Sequence, residues 1–350
     1  MRSFASLFLG LASLATGTQA AVNGTCCGPN ARTVPPPGAI VVDATSAQYG
    51  SFQTLSEGVA NLHNTTAEQT IFLFPGTYRE QVFITPLAGP LVLQGYTCNT
   101  ESYDENQVTI TQAKAQRDLP LNVAGDRNYA TSTLGLAAGN IKMYNLNVAN
   151  TAGKIGGKVG QAVAVYANGS DYGFYACNFS GYQDTLCAHN GRELYARTLI
   201  RGATDFIFGK NAQAWFEKCD IETVGKGYIT ANGRDNSSNP SWYVFNRANV
   251  FTTNASLNGT IYLGRPWRPY SRVVFQNSEL SDVVNPEGWK RWNNDSNTDN
   301  IYYQEFNNSG PGASIAKRVP FSGQLNKSVA ITDIFGDQFE SEWWVDTNFL

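Results

Sequence analysis

Ala176–Leu186 reads ACNFSGYQDTL, Arg197–Ile207 reads RTLIRGATDFI and Lys218–Tyr228 reads KCDIETVGKGY. The three segments follow one another at a constant offset of 21 residues, the separation of Cys177 from Thr198 and of Thr198 from Cys219. Similar short alternating runs lie upstream, at Asn140–Val148 and Gln161–Tyr166, and downstream, at Ser241–Phe245, Thr260–Leu263 and Arg272–Phe275. Short strands at a period in the twenties predict stacked repeats, and propeller blades are about twice as long. The pattern therefore predicts an all-β chain folded as a parallel β-helix. In such a solenoid no coil buries its own apolar face, and the neighbours together make one continuous core.

The ends of the solenoid need covers. Ser51, followed by Phe52, Leu55, Val59 and Leu62, predicts an N-terminal capping helix over Ser51–Asn64 with Ser51 as its N-cap. The tail Ile331–Leu350, with Trp343 and Trp344, is expected to pack back on the solenoid and cover its far end. No Pro/Ser-rich linker divides the chain, so 38–350 is read as a single domain, after a leader, 1–20, and an extension, 21–37. The leader has a basic start at Arg2, the short apolar run Phe4–Leu14 and small residues up to Ala20, a secretory signal pattern with cleavage near Ala20.

Composition narrows the chemistry. The 350 residues carry 25 Lys and Arg against 28 Asp and Glu, and only two His. A mild acidic balance argues against nucleic acid as a partner. Two histidines exclude a three-His zinc site, and no Gly-x-Ser-x-Gly elbow occurs. His189 is read as a surface residue, and nothing calls for a cofactor or a metal. After the leader no stretch is long enough to span a membrane, so a secreted monomer acting on an extracellular substrate is expected. Six cysteines in an oxidising compartment leave 15 pairings formally open. A Cys177–Cys219 bridge would have to reach across two coils, about 9–10 Å. Asn-x-Ser/Thr sequons at Asn23, Asn64, Asn168, Asn236 and further sites permit glycosylation.

The period also assembles a candidate site. Asp184 and Asp205 are one repeat apart, so stacking sets their carboxylates about 5 Å from each other. Like charges so close cannot both ionise freely, which separates an acid from a nucleophile. Gln161 and Gln183 fall one coil apart on the same surface, where amide N–H groups can hold an oxyanion. Arg265, in Leu263-Gly-Arg-Pro-Trp267, can keep one of the two carboxylates ionised. Trp267 and Trp289 can stack on sugar faces, with core packing as the competing role for both. A paired-carboxylate glycosidase, a polysaccharide lyase and a non-catalytic polysaccharide-binding solenoid remain open on these residues alone.

Five runs occur in an order that resembles the pectinesterases: Gly76–Glu80, Gln161–Ala164, Gly181–Leu186, Asp205–Gly209 and Leu263–Trp267. Pro286–Trp289 with Trp292, and Phe306–Gly312, support them. The resemblance implies a right-handed β-helix that removes methyl esters from the galacturonate units of pectin without a cofactor. It implies Asp205 as nucleophile, Asp184 as general acid/base, Gln183 and Gln161 as oxyanion donors, and Arg265 as the residue that orients Asp205. Trp267, Phe208 and Trp289 are expected to bind substrate. The sequence departs from the family pattern at Cys187, where many relatives carry an aromatic residue. It departs again at Asn232, where many carry Gln, and at Thr198, where Cys is common.

Overall fold

The computed structural model describes residues 26, 28–156 and 160–350, so the leader lies outside the described residues. Three parallel sheets run along the molecule, each built from one strand segment per coil. The first contains Leu91–Gly95, Ile141–Tyr144, Tyr172–Tyr175, the second half of Leu186–Ala196, Asn211–Glu217, Trp242–Asn246 and Arg272–Gln276. The middle sheet contains Val108–Gln112, Asn147–Asn150, Asn178–Ser180 and the first parts of Leu199–Gly209 and Asp220–Asn232. The third, the cleft sheet, contains Leu134–Leu136, Val165–Asn168, the start of Leu186–Ala196, the ends of the two long strands, and Ile261–Gly264. This is a parallel β-helix, right-handed as parallel crossovers are. The 21-residue coil holds from Tyr175 through Ala196 to Glu217. Later coils take 29 or 30 residues, as the pairs Glu217–Asn246 and Asn246–Gln276 show, because loops are inserted at the corners.

In five successive coils the first sheet sends an aromatic ring into the bore at the same rung. Phe174, Tyr195, Phe216, Phe245 and Phe275 stack with centroids 4.8, 4.7, 4.3 and 4.2 Å apart and interplanar angles of 11° or less. The strand spacing sets that separation. Burying each ring contributes about 1.5–3 kcal/mol, with roughly 0.5–1.5 more from the ring–ring contact. Between the first and middle sheets, every coil from Asn145 onward turns through one left-handed residue. Asn145, Ala176, Arg197, Lys218, Arg247, Asn277 and Asn307 have φ between 48° and 54°.

The N-terminal cap is shorter than expected. The helix spans Leu55–Ala60, and its N-cap is Thr54, with Glu57 closing a capping box. Ser51 cannot serve because Phe52 is extended: its N–H donates to Val41 O, and its carbonyl accepts from Asp43. The helix N-terminus also receives Glu80, whose carboxylate accepts from the Leu55 and Ser56 amides. That contact accounts for the last residue of the Gly76–Glu80 run.

The tail does not cover the far end. It lies lengthwise on the outer face of the first sheet and runs back toward the N-terminus. Val329 exchanges hydrogen bonds with Gln276, Ile334 O accepts from Gln213, Trp344 O accepts from the Tyr175 hydroxyl, and Asp346 accepts from Tyr144. Its apolar residues pack against an outward ladder of Tyr144, Tyr175, Leu194, Trp215, Val244 and Val274. That ladder reads as apolar on the outer face because the tail shields it. A disulfide, Cys26–Cys98, ties the N-terminal extension to the first coils, while Cys177, Cys187 and Cys219 are buried free thiols.

Candidate active site

Asp184 and Asp205 stand on adjacent coils at the corner between the middle and cleft sheets. Gln183 pairs with Thr204 and Leu186 with Ile207, so the two Asp are opposed rung to rung, as the period predicts. Both residues are left-handed, with φ of 62° and 51°, a region that few residues other than glycine enter and in which Asn and Asp are enriched. The corner turns both side chains out of the bore toward a cleft of about 560 Å³. Gln116, Asn128, Gln161, Gln183, Phe208 and Trp267 line it with the two Asp, and Arg265 and Trp292 close one side.

Arg265 enters from two coils beyond Asp205, just after Gly264, which pairs with Thr230, which in turn pairs with Ile207. Its Nε and Nη2 donate to Asp205 Oδ1 and Oδ2 at 2.8 and 2.6 Å, a two-point fork. The Arg265 amide donates to Thr230 O, which fixes the loop on the cleft sheet. Gly264 is required just before it: a Cβ there would sit 2.0 Å from Thr230 Oγ1. The guanidinium is sandwiched between Tyr228 and Trp292, at 4.1 and 4.0 Å from their ring centroids. The fork is thus held in its plane from both faces.

The two carboxyls are electrostatically unequal. Burial, then the neighbouring Asp205 charge, pushes Asp184 well above the usual carboxylate range, with only a distant Arg265 opposing. Burial pushes Asp205 up as well, against the Arg265 hydrogen bonds and charge that pull it down. Asp184 has no fork of its own, so Asp205 loses its proton first.

Gln161 and Gln183 are joined through their backbones, Ala162 N–H donating to Gln183 O at 3.1 Å. Gln161 Oε1 is buried without a hydrogen-bond partner among the described residues, so its amide has an acceptor unused at the cleft wall. Phe208 and Trp267 meet edge to face at 6.3 Å on the cleft floor. Among the described residues no three of His, Cys, Asp and Glu converge as metal ligands.

Trp289 does not belong to this site. It is fully buried, stacked on Tyr303 at 4.2 Å, with its indole N–H donating to Glu305 at 3.3 Å. Of the two tryptophans in that stretch, Trp292 is the one at the cleft. The bridge of Trp289 to Gly264, past which Trp292 lies, and not the residue type, separates the two roles. Tyr228, Gln116 and Asn128 are further site residues that sequence reasoning missed. Gln116 and Asn128 come from a loop outside the repeat, and the only sequence signal for it is Asp126, the N-cap of the short helix Arg127–Thr131. Asp126 also accepts from the Tyr166 hydroxyl at 2.7 Å, which pins the loop to the cleft sheet. His189 is not a free surface residue: it stacks on Tyr166 at 5.2 Å and lies 3.8 Å from the Cys187 sulfur.

The sequence profile of the pectinesterase family matches residues 39–339. The chain belongs to the pectinesterase family. It is a carboxylic ester hydrolase that removes methyl esters from the galacturonate units of pectin, releasing methanol and leaving pectate. A pectinesterase of Aspergillus niger is 42% identical over 326 residues, covering 91% of this chain and 94% of the relative. One from Aspergillus aculeatus is 40% identical over the same length. The crystal structure of the Aspergillus niger pectin methylesterase in deglycosylated form superposes with a TM-score of 0.82 at 37% identity, over 91% of this chain and all of that one. The carrot pectin methylesterase gives 0.76 at 27%, over 90% of this chain and 98% of that one.

Proposed function

We propose that Asp205 is the nucleophile of the esterase and Asp184 its general acid/base. The observation that carries this reading is the asymmetric pair: one Asp held by a guanidinium fork, the other buried beside it without one. Asp205, ionised, attacks the carbonyl carbon of a galacturonate methyl ester. The tetrahedral oxyanion is met by the side-chain amides of Gln183 and Gln161, donors set before the charge appears. Asp184, protonated at the start, passes its proton to the departing methoxide, which leaves as methanol. Water then attacks the acyl-enzyme with Asp184 as base: one water proton returns to Asp184, Asp205 leaves as carboxylate, and the freed galacturonic acid gives its proton to solvent. Trp267 and Phe208 offer flat apolar surface to the sugar ring beside the reacting ester.

The same reading takes the enzyme as a monomer secreted after cleavage near Ala20, with 38–350 as one catalytic domain and 21–37 as its extension. The Cys26–Cys98 disulfide supports an oxidising destination. Among the described residues no helix is long and apolar enough to cross a membrane. The test incubates wild type, Asp205→Ala and Asp184→Asn with highly esterified pectin and follows methanol, reducing ends and unsaturated product together. Methanol alone from wild type, and none from either variant at unchanged circular dichroism, is the expected result. Near-normal methanol release by Asp205→Ala removes the assignment.

A further inference from the structure

The corner between the first and middle sheets carries three cations in register. Ala196, Glu217 and Asn246 are paired rung to rung, so the residues after them, Arg197, Lys218 and Arg247, stack on successive coils at the strand spacing of about 4.8 Å. All three are left-handed, with φ of 48°, 50° and 54°. Asn is the non-glycine residue that best tolerates this conformation. Asn does occupy other rungs of the same ladder, at Asn145, Asn277 and Asn307. The fold therefore accepts Asn here, and three cations on consecutive rungs bring backbone strain and mutual repulsion that the turn does not require. Their charges are only partly answered. Arg247 meets the buried Glu217, Arg197 approaches Glu101 at 3.7 Å, and Lys218 forms no ion pair among the described residues. Burial and the charges of Arg247 and Arg197 lower the pKa of the Lys218 ammonium, with the Glu217 carboxylate opposing them. Half of the Arg247 side chain and 29% of that of Arg197 face solvent, on a chain whose net charge is −3.

We propose that the Arg197–Lys218–Arg247 ladder is a docking strip for de-esterified polygalacturonate, the acidic polymer the enzyme produces. The ligand class rests on the esterase reading, since it is the polyanion that the reaction generates beside the protein. A run of cations one coil apart meets a chain carrying one carboxylate per sugar, a spacing of the same order as the coil rise. The strip is separated from Asp205 by the full width of the middle sheet. It retains a finished block of pectate while the cleft works on esterified units elsewhere on the polymer.

The experiment compares wild type, Lys218→Asn and the double variant Arg197→Asn/Lys218→Asn by affinity electrophoresis through gels containing fully de-esterified polygalacturonate. Arg247 is left in place because Glu217 is buried against it. Each lost cation should weaken binding roughly two- to fivefold at low ionic strength, and the difference should shrink as salt is added. Methanol release from a short esterified oligogalacturonide should keep its kcat and KM. A matching Gln pair at 197 and 218 removes charge while keeping length, in case the Asn pair alters the fold. Equal retardation of wild type and a folded double variant at low salt overturns the strip. Absence of methanol release by wild type would instead sink the esterase reading, so the two failures are read separately.

Discussion

Replacing Arg265 with Gln removes the fork on Asp205 while keeping an amide between Tyr228 and Trp292. In the wild type, burial raises Asp205 and the two Arg265 hydrogen bonds lower it. With the guanidinium gone the raising influence acts alone, so the sign of the change is upward. Hydrogen bonds to a charged group contribute about 1.5–3 kcal/mol each, so two that favour only the ionised form set a range of about 3–6 kcal/mol. Water entering beside Asp205 holds the loss near the lower end of that range. The acid limb of the pH profile of kcat/KM reports the free enzyme's base. That limb should therefore move to higher pH in Arg265→Gln, and by less in Arg265→Lys, which keeps the charge but loses the fork. The assay is methanol release at constant ionic strength across the acid and neutral range, with folding checked at each pH. An acid limb that stays put while activity falls would falsify the argument, because Arg265 would then act on the substrate and not through Asp205.

Asp184→Asn should abolish turnover yet stabilise the protein. Its raised folded-state pKa means that the folded protein keeps a proton the unfolded chain has released above about pH 3.9. The stability linked to that proton is full below this value and declines as pH rises, so the gain in Tm of Asp184→Asn over wild type should be small at pH 4 and larger at pH 7. Trp292→Ala opens one face of the guanidinium sandwich. A cation–π contact of about 0.5–2 kcal/mol predicts a two- to thirtyfold loss in kcat/KM, while an unchanged value would make Trp292 a bystander. Trp289→Ala should lower stability by about 3–5 kcal/mol in urea titration, since it empties a buried site beside Tyr303 and Glu305. Cys98→Ala opens a 72-residue loop and should cost about 2–5 kcal/mol, measured by the same titration.

The fold was legible where one coil copies the next. Two consecutive 21-residue coils, joining three similar segments, made the stacking of Asp184 on Asp205 readable from arithmetic, and the paired register bears this out. Legibility ended where the copying ended. The loop carrying Gln116 and Asn128 has no counterpart in other coils, so no period points to it. Tyr228 falls in the third repeat segment, yet its contact with Arg265 joins coils of unequal length, and no fixed offset links the two. Trp289 and Trp292 show a different limit: both are large, amphipathic residues in one run, and only the bridge of Trp289 to Gly264 fixes one in the bore while the other reaches the cleft. The capping helix was misplaced at its start for a comparable reason. Phe52 fits a helical stripe by spacing but is taken by a bridge to Val42, a partner the local pattern does not include.

The lengthwise tail has a consequence for how this gene can change. A bare solenoid tolerates the gain or loss of a coil, because each coil reads only its neighbours. Here the tail is a ruler. Its contacts at Gln276, Gln213, Tyr175 and Tyr144 fall on different coils in a fixed order. Duplicating one coil between Tyr144 and Gln276 would move every anchor beyond it by about 4.8 Å, out of reach of its hydrogen-bond partner. Length can accordingly change at the corner loops, where 21-residue and 30-residue coils already coexist in this chain, but not by whole coils, and the constraint comes from a segment that is not part of any coil.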